Sequence, residues 1–196
     1  MVAERDENRE VILILTKYCF AKDSRLWQSF FMIKELQQFN DLILKELNLQ
    51  LLEITPDLEC EEYSGFNFTI NETRIKFRKS KLTPKKIGQF VTFWKRDSAG
   101  KTVPFDIYDD FDFYIISIEE NDNSGFFIFP KTILEKQNLI SSENKTGKRG
   151  FRVYADWHFP NSKQAEKTKL WQTEFFINFS DSEDSVINHF REITKL

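Results

Sequence analysis

Between Arg74 and Lys101 the chain carries ten Lys or Arg residues against one acid, Asp97, and Phe90, Phe93 and Trp94 stand among Arg78, Lys81, Lys85, Lys86, Lys95 and Arg96. Cations of this kind neutralise phosphates and release counterions, and exposed aromatic faces stack on unpaired bases. Alternation sets Phe93 with Lys95 on one side of an extended segment and Trp94 with Arg96 on the other. Thr83-Pro84-Lys85-Lys86 reads as a turn or helix entry whose amides and lysines suit an anion. A second cluster, Gly147-Lys148-Arg149-Gly150 followed by Arg152, joins glycines that allow close backbone approach to cations that point in different directions. Further on, Gln164, Lys167 and Trp171 fall on one helical face that could line a groove. These residue types predict a noncatalytic partner of nucleic acid, DNA or RNA, with single strands favoured by the interleaved aromatics.

The other chemistry to weigh is hydrolysis. Asp106, Asp109, Asp110 and Asp112 gather before a strand, and two or three carboxylates can hold Mg²⁺ against a phosphate. A nuclease of the fold that the family resemblance described below implies would in addition offer an acid two positions before a lysine on an adjacent strand. Glu143-Asn144-Lys145 has the spacing but lies in a polar loop, and Pro56-Asp57 with Glu72-Thr73-Arg74 imitates it with Arg for Lys. Turn capping and ion pairing with the basic surface is the favoured role of the aspartates. A third possibility is a protein-interaction module that uses acidic N-terminal helices and the basic face separately.

Other classes are excluded. Gly147-Lys148-Arg149-Gly150 lacks the spacing of a nucleotide-binding P-loop. His158 and His189 follow no nucleophile elbow, and with Cys19 and Cys60 they offer neither a Cys-x-x-Cys pair nor compact zinc spacing. No cofactor is expected. The apolar run Val11–Leu15 is far shorter than a membrane span, and acids rather than bases precede it, so a cytoplasmic protein is expected.

The elements that must carry these residues follow from periodicity. The 196 residues, 40% hydrophobic and with 21 Phe, suffice for one domain with its own core. The net charge of −3 conceals an acidic segment up to Glu72, the basic stretch, and an acidic stretch from Phe105 to Asp122. The N-terminal part, residues 8–52, reads as helical: Asn8–Lys22, then a long helix from Arg25 through Leu51 with a break near Asn40. Past Pro56 alternation predicts a hairpin turning at Asn71-Glu72, then strands at Gln89–Lys95, Phe111–Ile118, Phe126–Phe129 and Gly150–Tyr154. Pro130 starts a short helix, Asn161 or Ser162 caps another to about Phe175, and Asp181–Asp184 opens a last one. The expected fold is α+β, a mixed sheet of five or more strands flanked by helices.

Several blocks recur together in this order: KLTPKKIGQFVTFWKR at Lys81–Arg96, PFD at Pro104–Asp106, DDFDFYII at Asp109–Ile116, GFFIFPK at Gly125–Lys131, GKRGFRVYADW at Gly147–Trp157 and QAEKTKLWQTEFFI at Gln164–Ile177. They resemble the MepB family of small bacterial proteins over roughly Glu62–Phe179. The resemblance implies a restriction-endonuclease-like α/β core, an architecture associated with nucleic acid, and for some members genes beside multidrug-efflux genes. Ser80 departs from the family, where a small alanine is expected, and the helical N-terminal part and the tail after Phe179 lie outside the likeness.

Overall fold

The computed structural model describes residues 33–57 and 64–196. The helices expected before Ile33, and Cys19 and Cys60, lie outside the described residues. Residues 34–196 form one compact unit. Its elements are helix α1 (Lys34–Phe39), which continues as a π-turn at Asn40–Leu44, strands β1 (Leu51–Pro56), β2 (Phe66–Ile70), β3 (Thr73–Lys79), β4 (Lys81–Leu82), β5 (Gln89–Thr92), β6 (Trp94–Arg96), β7 (Thr102–Pro104), β8 (Phe113–Glu120) and β9 (Asn123–Pro130), helix α2 (Lys131–Lys136), strand β10 (Gly150–Val153), helix α3 (Lys163–Gln172), strand β11 (Phe176–Asn178) and helix α4 (Glu183–Thr194).

Six strands form one mixed sheet in the order β1-β2-β3-β8-β9-β11. All neighbours are antiparallel except β3 and β8, which run parallel with Ile75 opposite Phe113 and Lys79 opposite Ser117. Parallel neighbours need a long crossover, and here it contains β4 to β7. Of these, β4 and β5 join the later β10 in a three-stranded sheet, β10-β5-β4, and β6 and β7 form a separate hairpin.

The central strands are buried on both faces, which is why β8 and β9 read as nearly unbroken apolar runs. On one face Phe77 and Phe126 meet the N-terminal helix: Phe39 packs edge-on to Phe126 at 5.3 Å and to Phe190 of α4 at 5.9 Å. On the other face Tyr114, Ile116, Phe127 and Phe129 join Phe93, Phe105, Phe151 and Val153 in a continuous core. Residues 34–196 are thus layered as helices, large sheet, then small sheet with α2 and α3.

Most of the expected elements are present with shifted ends. Asn71 has φ 54° and closes the β2–β3 hairpin. Ser162 and Ser182 cap α3 and α4 through their hydroxyls. Two expectations are corrected. The helix does not run through Leu51: the α-to-π change falls at Asn40, Asn48 takes a left-handed φ of 54°, and Leu51 already pairs with Ile70. The strand expected at Gln89–Lys95 is two strands, because the chain leaves the small sheet at Phe93, whose amide donates to Arg149 O at 3.0 Å, and enters the hairpin at Trp94.

Two buried polar side chains fasten the layers together. Ser80 Oγ lies 2.8 Å from Gln89 Oε1 and 2.9 Å from Ser117 O, and Gln89 Nε2 donates to Glu119 O at 2.9 Å. The serine found where the family resemblance leads one to expect alanine is thus part of the joint between β5 and β8. Removing the hydroxyl leaves the buried amide oxygen without that donor. Ser80→Ala is expected to lower the unfolding free energy by about 1–3 kcal/mol, and Phe93→Ala, which empties a fully buried site, by about 3–5 kcal/mol, both read from urea denaturation.

Candidate nucleic-acid interface

The two basic segments meet because β10 pairs with β5. Gly150 lies opposite Thr92, Phe151 opposite Val91, Arg152 opposite Phe90 and Val153 opposite Gln89. On the other side of β5, Lys81 lies opposite Phe90. Alternate residues of a strand face alternate sides, so Val91, Phe151 and Val153 turn into the core while Lys81, Phe90 and Arg152 form one cross-strand row on the outer face. An aromatic ring, half-buried, sits between two cations.

Loops at both ends of this sheet add charge. The turn Thr83–Gly88 exposes Lys85 and Lys86. Arg152 fixes it by donating to Gly88 O and Thr83 Oγ1, each at 2.7 Å. Thr83 therefore accepts from Arg152, and the segment is a turn and not a helix entry. Gly88 has φ 77°, and a Cβ there would lie 2.6 Å from both the Tyr154 ring and Val153 O, so only glycine fits. At the opposite end, Lys148 and Arg149 are exposed while their backbone is held, by Lys148 N–H to Leu139 O at 2.9 Å and by Phe93 N–H to Arg149 O.

Other expected residues are placed elsewhere. Arg78 is 1% exposed, ion-paired to Asp57 and donating to Phe77 O at 2.8 Å, so it belongs to the interior of the large sheet and faces no ligand. Lys95 is held between Asp106 at 2.6 Å and Asp109 at 2.5 Å. Burial opposes its charge, the two carboxylates overcome that, and its pKa lies above the usual lysine value. Phe93, expected to offer a stacking face, is fully buried between Phe105, Tyr114 and Phe151. Trp94 and Arg96 do share a face, with the guanidinium 5.5 Å from the ring centre, but on the separate β6–β7 hairpin.

Helix α3 covers the remaining flank of β10. Gln164 and Trp171 line a cleft of about 340 Å³ between α3 and β10, together with Thr168 and Gln172, while Lys167 is exposed outside it. The arc facing the cleft is centred one residue beyond the face expected from sequence. Trp171 rests on Phe129 at 5.2 Å on one side and borders the cleft on the other.

A model of the MepB-like family matches residues 57–178. The chain belongs to the MepB-like family. A solved structure described as the crystal structure of MepB superposes with a TM-score of 0.67 at 26% identity, covering 77% of this chain and all of that one. No curated protein matches. The MepB-like match spans β2 to β11, so it includes both cationic segments, and it ends before α4. The mixed sheet agrees with the α+β fold expected of a MepB-like protein.

Among the described residues, the carboxylates weighed for a metal-dependent nuclease are engaged with cations and amides of this MepB-like chain itself. Asp106 and Asp109 clasp Lys95, and Asp110 and Asp112 pair with Arg74, whose amide also donates to Asp112 at 2.8 Å. Asp106 N–H donates to Asp109 at 2.6 Å and Tyr108 N–H to Asp106 at 2.8 Å, the turn capping that sequence favoured. Asp57 is spent on Arg78, Glu72 lies exposed in the hairpin turn, and Glu143 to Lys145 form an exposed loop. Among the described residues no three His, Cys, Asp or Glu side chains group as metal ligands.

Sequence reasoning passed over one pair. His158 is 5% exposed, and its Nε2 lies 2.6 Å from Glu120 while Nδ1 accepts from Ala155 N–H at 2.8 Å. With Nδ1 accepting, Nε2 carries the proton, so neither nitrogen is left to serve as a base. Burial depresses the His158 pKa and outweighs the opposing pull of Glu120. The neutral ring is thus favoured in the fold, and the stability it lends is complete above the unfolded value of about 6.5 and is lost as pH falls below it. An NMR titration is expected to show the His158 imidazole ionising below the free-histidine range, with the thermal midpoint falling between pH 7 and pH 5.

Proposed function

We propose that this protein binds nucleic acid without acting on it chemically, through the outer face of the β10-β5-β4 sheet, and that it prefers single strands. The observation that carries this reading is the in-register row Lys81–Phe90–Arg152, flanked by exposed Lys85, Lys86, Lys148 and Arg149. In a chain with a formal net charge of −3, cations from two distant segments stand on the strands of one small sheet and on the loops at its ends. The mixture of charge with an accessible ring suits a flexible polyanion whose bases can turn toward the protein. Arg152 also holds the Thr83–Gly88 turn in place, so the surface is fixed before any ligand arrives.

A protein using six cations on a single strand should show a slope of roughly −4 in log affinity against log salt, at about −0.7 per phosphate neutralised. Fluorescence anisotropy with labelled single-stranded and duplex oligonucleotides at several salt concentrations measures it. Lys81→Ala combined with Arg149→Ala is expected to weaken binding several-fold and to make the slope shallower by about 1.4. Absence of binding at low salt, or binding indifferent to that double substitution, would sink the proposal.

A further inference from the structure

β10 is the outer strand of its sheet, and its unpaired side faces the cleft under α3. The register fixes which groups point there. Arg149 O accepts from Phe93 N–H, so residues 149, 151 and 153 direct their polar atoms toward β5, and Gly150 and Arg152 direct theirs to the open side. Gln172 occupies the far part of that side: its Nε2 donates to Arg152 O at 3.0 Å and its Oε1 accepts from Tyr154 N–H at 2.9 Å. What remains toward the cleft is the amide and carbonyl of Gly150 and the amide of Arg152.

This short edge is bounded in a way that selects its occupant. An added β-strand needs an edge that continues, and Gln172 stops this one after two residues, so an extended peptide is disfavoured. A planar heterocycle needs only a donor and an acceptor side by side. The rest of the wall suits one: the Trp171 indole provides a flat face, and Gln164 and Thr168 carry neutral polar groups of both kinds. Lys148 and Arg152 also line the cleft, and Arg152 belongs as well to the outer row with Phe90 and Lys81. The volume of about 340 Å³ lies at the small end of the roughly 300–1,000 Å³ of small-ligand pockets.

Resting on the nucleic-acid reading above, we infer that the cleft between β10 and α3 receives one unpaired base of a strand whose phosphates lie on the neighbouring cationic face. The base stacks on Trp171 and reaches the Gly150 edge with its hydrogen-bonding groups, while its flanking phosphates remain by Lys148 and Arg152. Single-strand preference then has a structural source, since a base held in a duplex cannot enter.

The test compares a short oligothymidylate with an abasic oligomer of the same length and charge, and with thymidine monophosphate alone. The oligothymidylate is expected to bind roughly tenfold more tightly than the abasic strand, and the mononucleotide far more weakly than either. Ala165→Leu, which fills the cleft from α3, should reduce that tenfold difference toward one while leaving abasic-strand affinity unchanged. Circular dichroism confirms that the variant is folded, and Gln164→Ala, a change at an exposed position, gives a second route to the same loss. Equal affinity for the two strands, a mononucleotide binding as tightly as the oligomer, or discrimination that survives both substitutions would overturn the inference and leave the cationic face standing. Binding to neither strand would overturn both readings.

Discussion

The four-rung antiparallel pairing of β5 with β10 is the contact on which the arrangement depends. It joins the crossover between β3 and β8 to a strand that follows β9, and it does so with the inward residues of each strand locked into the aromatic core. Because Val91, Phe151 and Val153 must face that core, Phe90, Arg152 and, through β4, Lys81 have no choice but to face outward together. The cationic row is a by-product of burial: the hydrophobic partners set the register, and the register sets the charges.

The same constraint sorts the cations by environment. Three of those on the large sheet are neutralised within the fold, Arg78 by Asp57, Lys79 by Glu35 and Glu119, Arg74 by Asp110 and Asp112. Lys95 is held by the turn at Asp106–Asp109. The acidic stretch after Phe105 thus serves mainly to compensate nearby basic side chains. The cations of the small sheet named above, Lys81, Lys85, Lys86, Lys148 and Arg149, are exposed.

Local signals are legible in the sequence and distant ones are not. The hairpin at Asn71, the strands β8 and β9, and helices α3 and α4 are specified by alternation and by caps within a few residues, and they appear where expected. The parallel pairing of β3 with β8 has no local signature, because it depends on what the crossover buries. Arg78 looked like part of a basic ligand surface because its neighbours in sequence are basic; only the fold reveals Asp57 beside it. Phe93 reads in sequence as one of several aromatics on a strand, but a change of sheet at that residue drives its ring inward. The His158–Glu120 pair joins residues from β8 and a loop before α3, and no spacing rule could have linked them. The convergence of the two basic segments was legible as a possibility, and its geometry required the register.

The crossover position of β4 to β7 has a consequence for how the protein is made. When the ribosome has delivered β3 through β9, every strand of the large sheet but β11 is present, and β5 has β4 beside it but still lacks β10. The cationic row comes into being only when residues 150–153 arrive, and α3 follows to close the flank of β10. Phe151 and Val153 arrive on the same strand as Arg152, so the residues that complete the core beneath the cationic row are delivered together with the charge that completes the row.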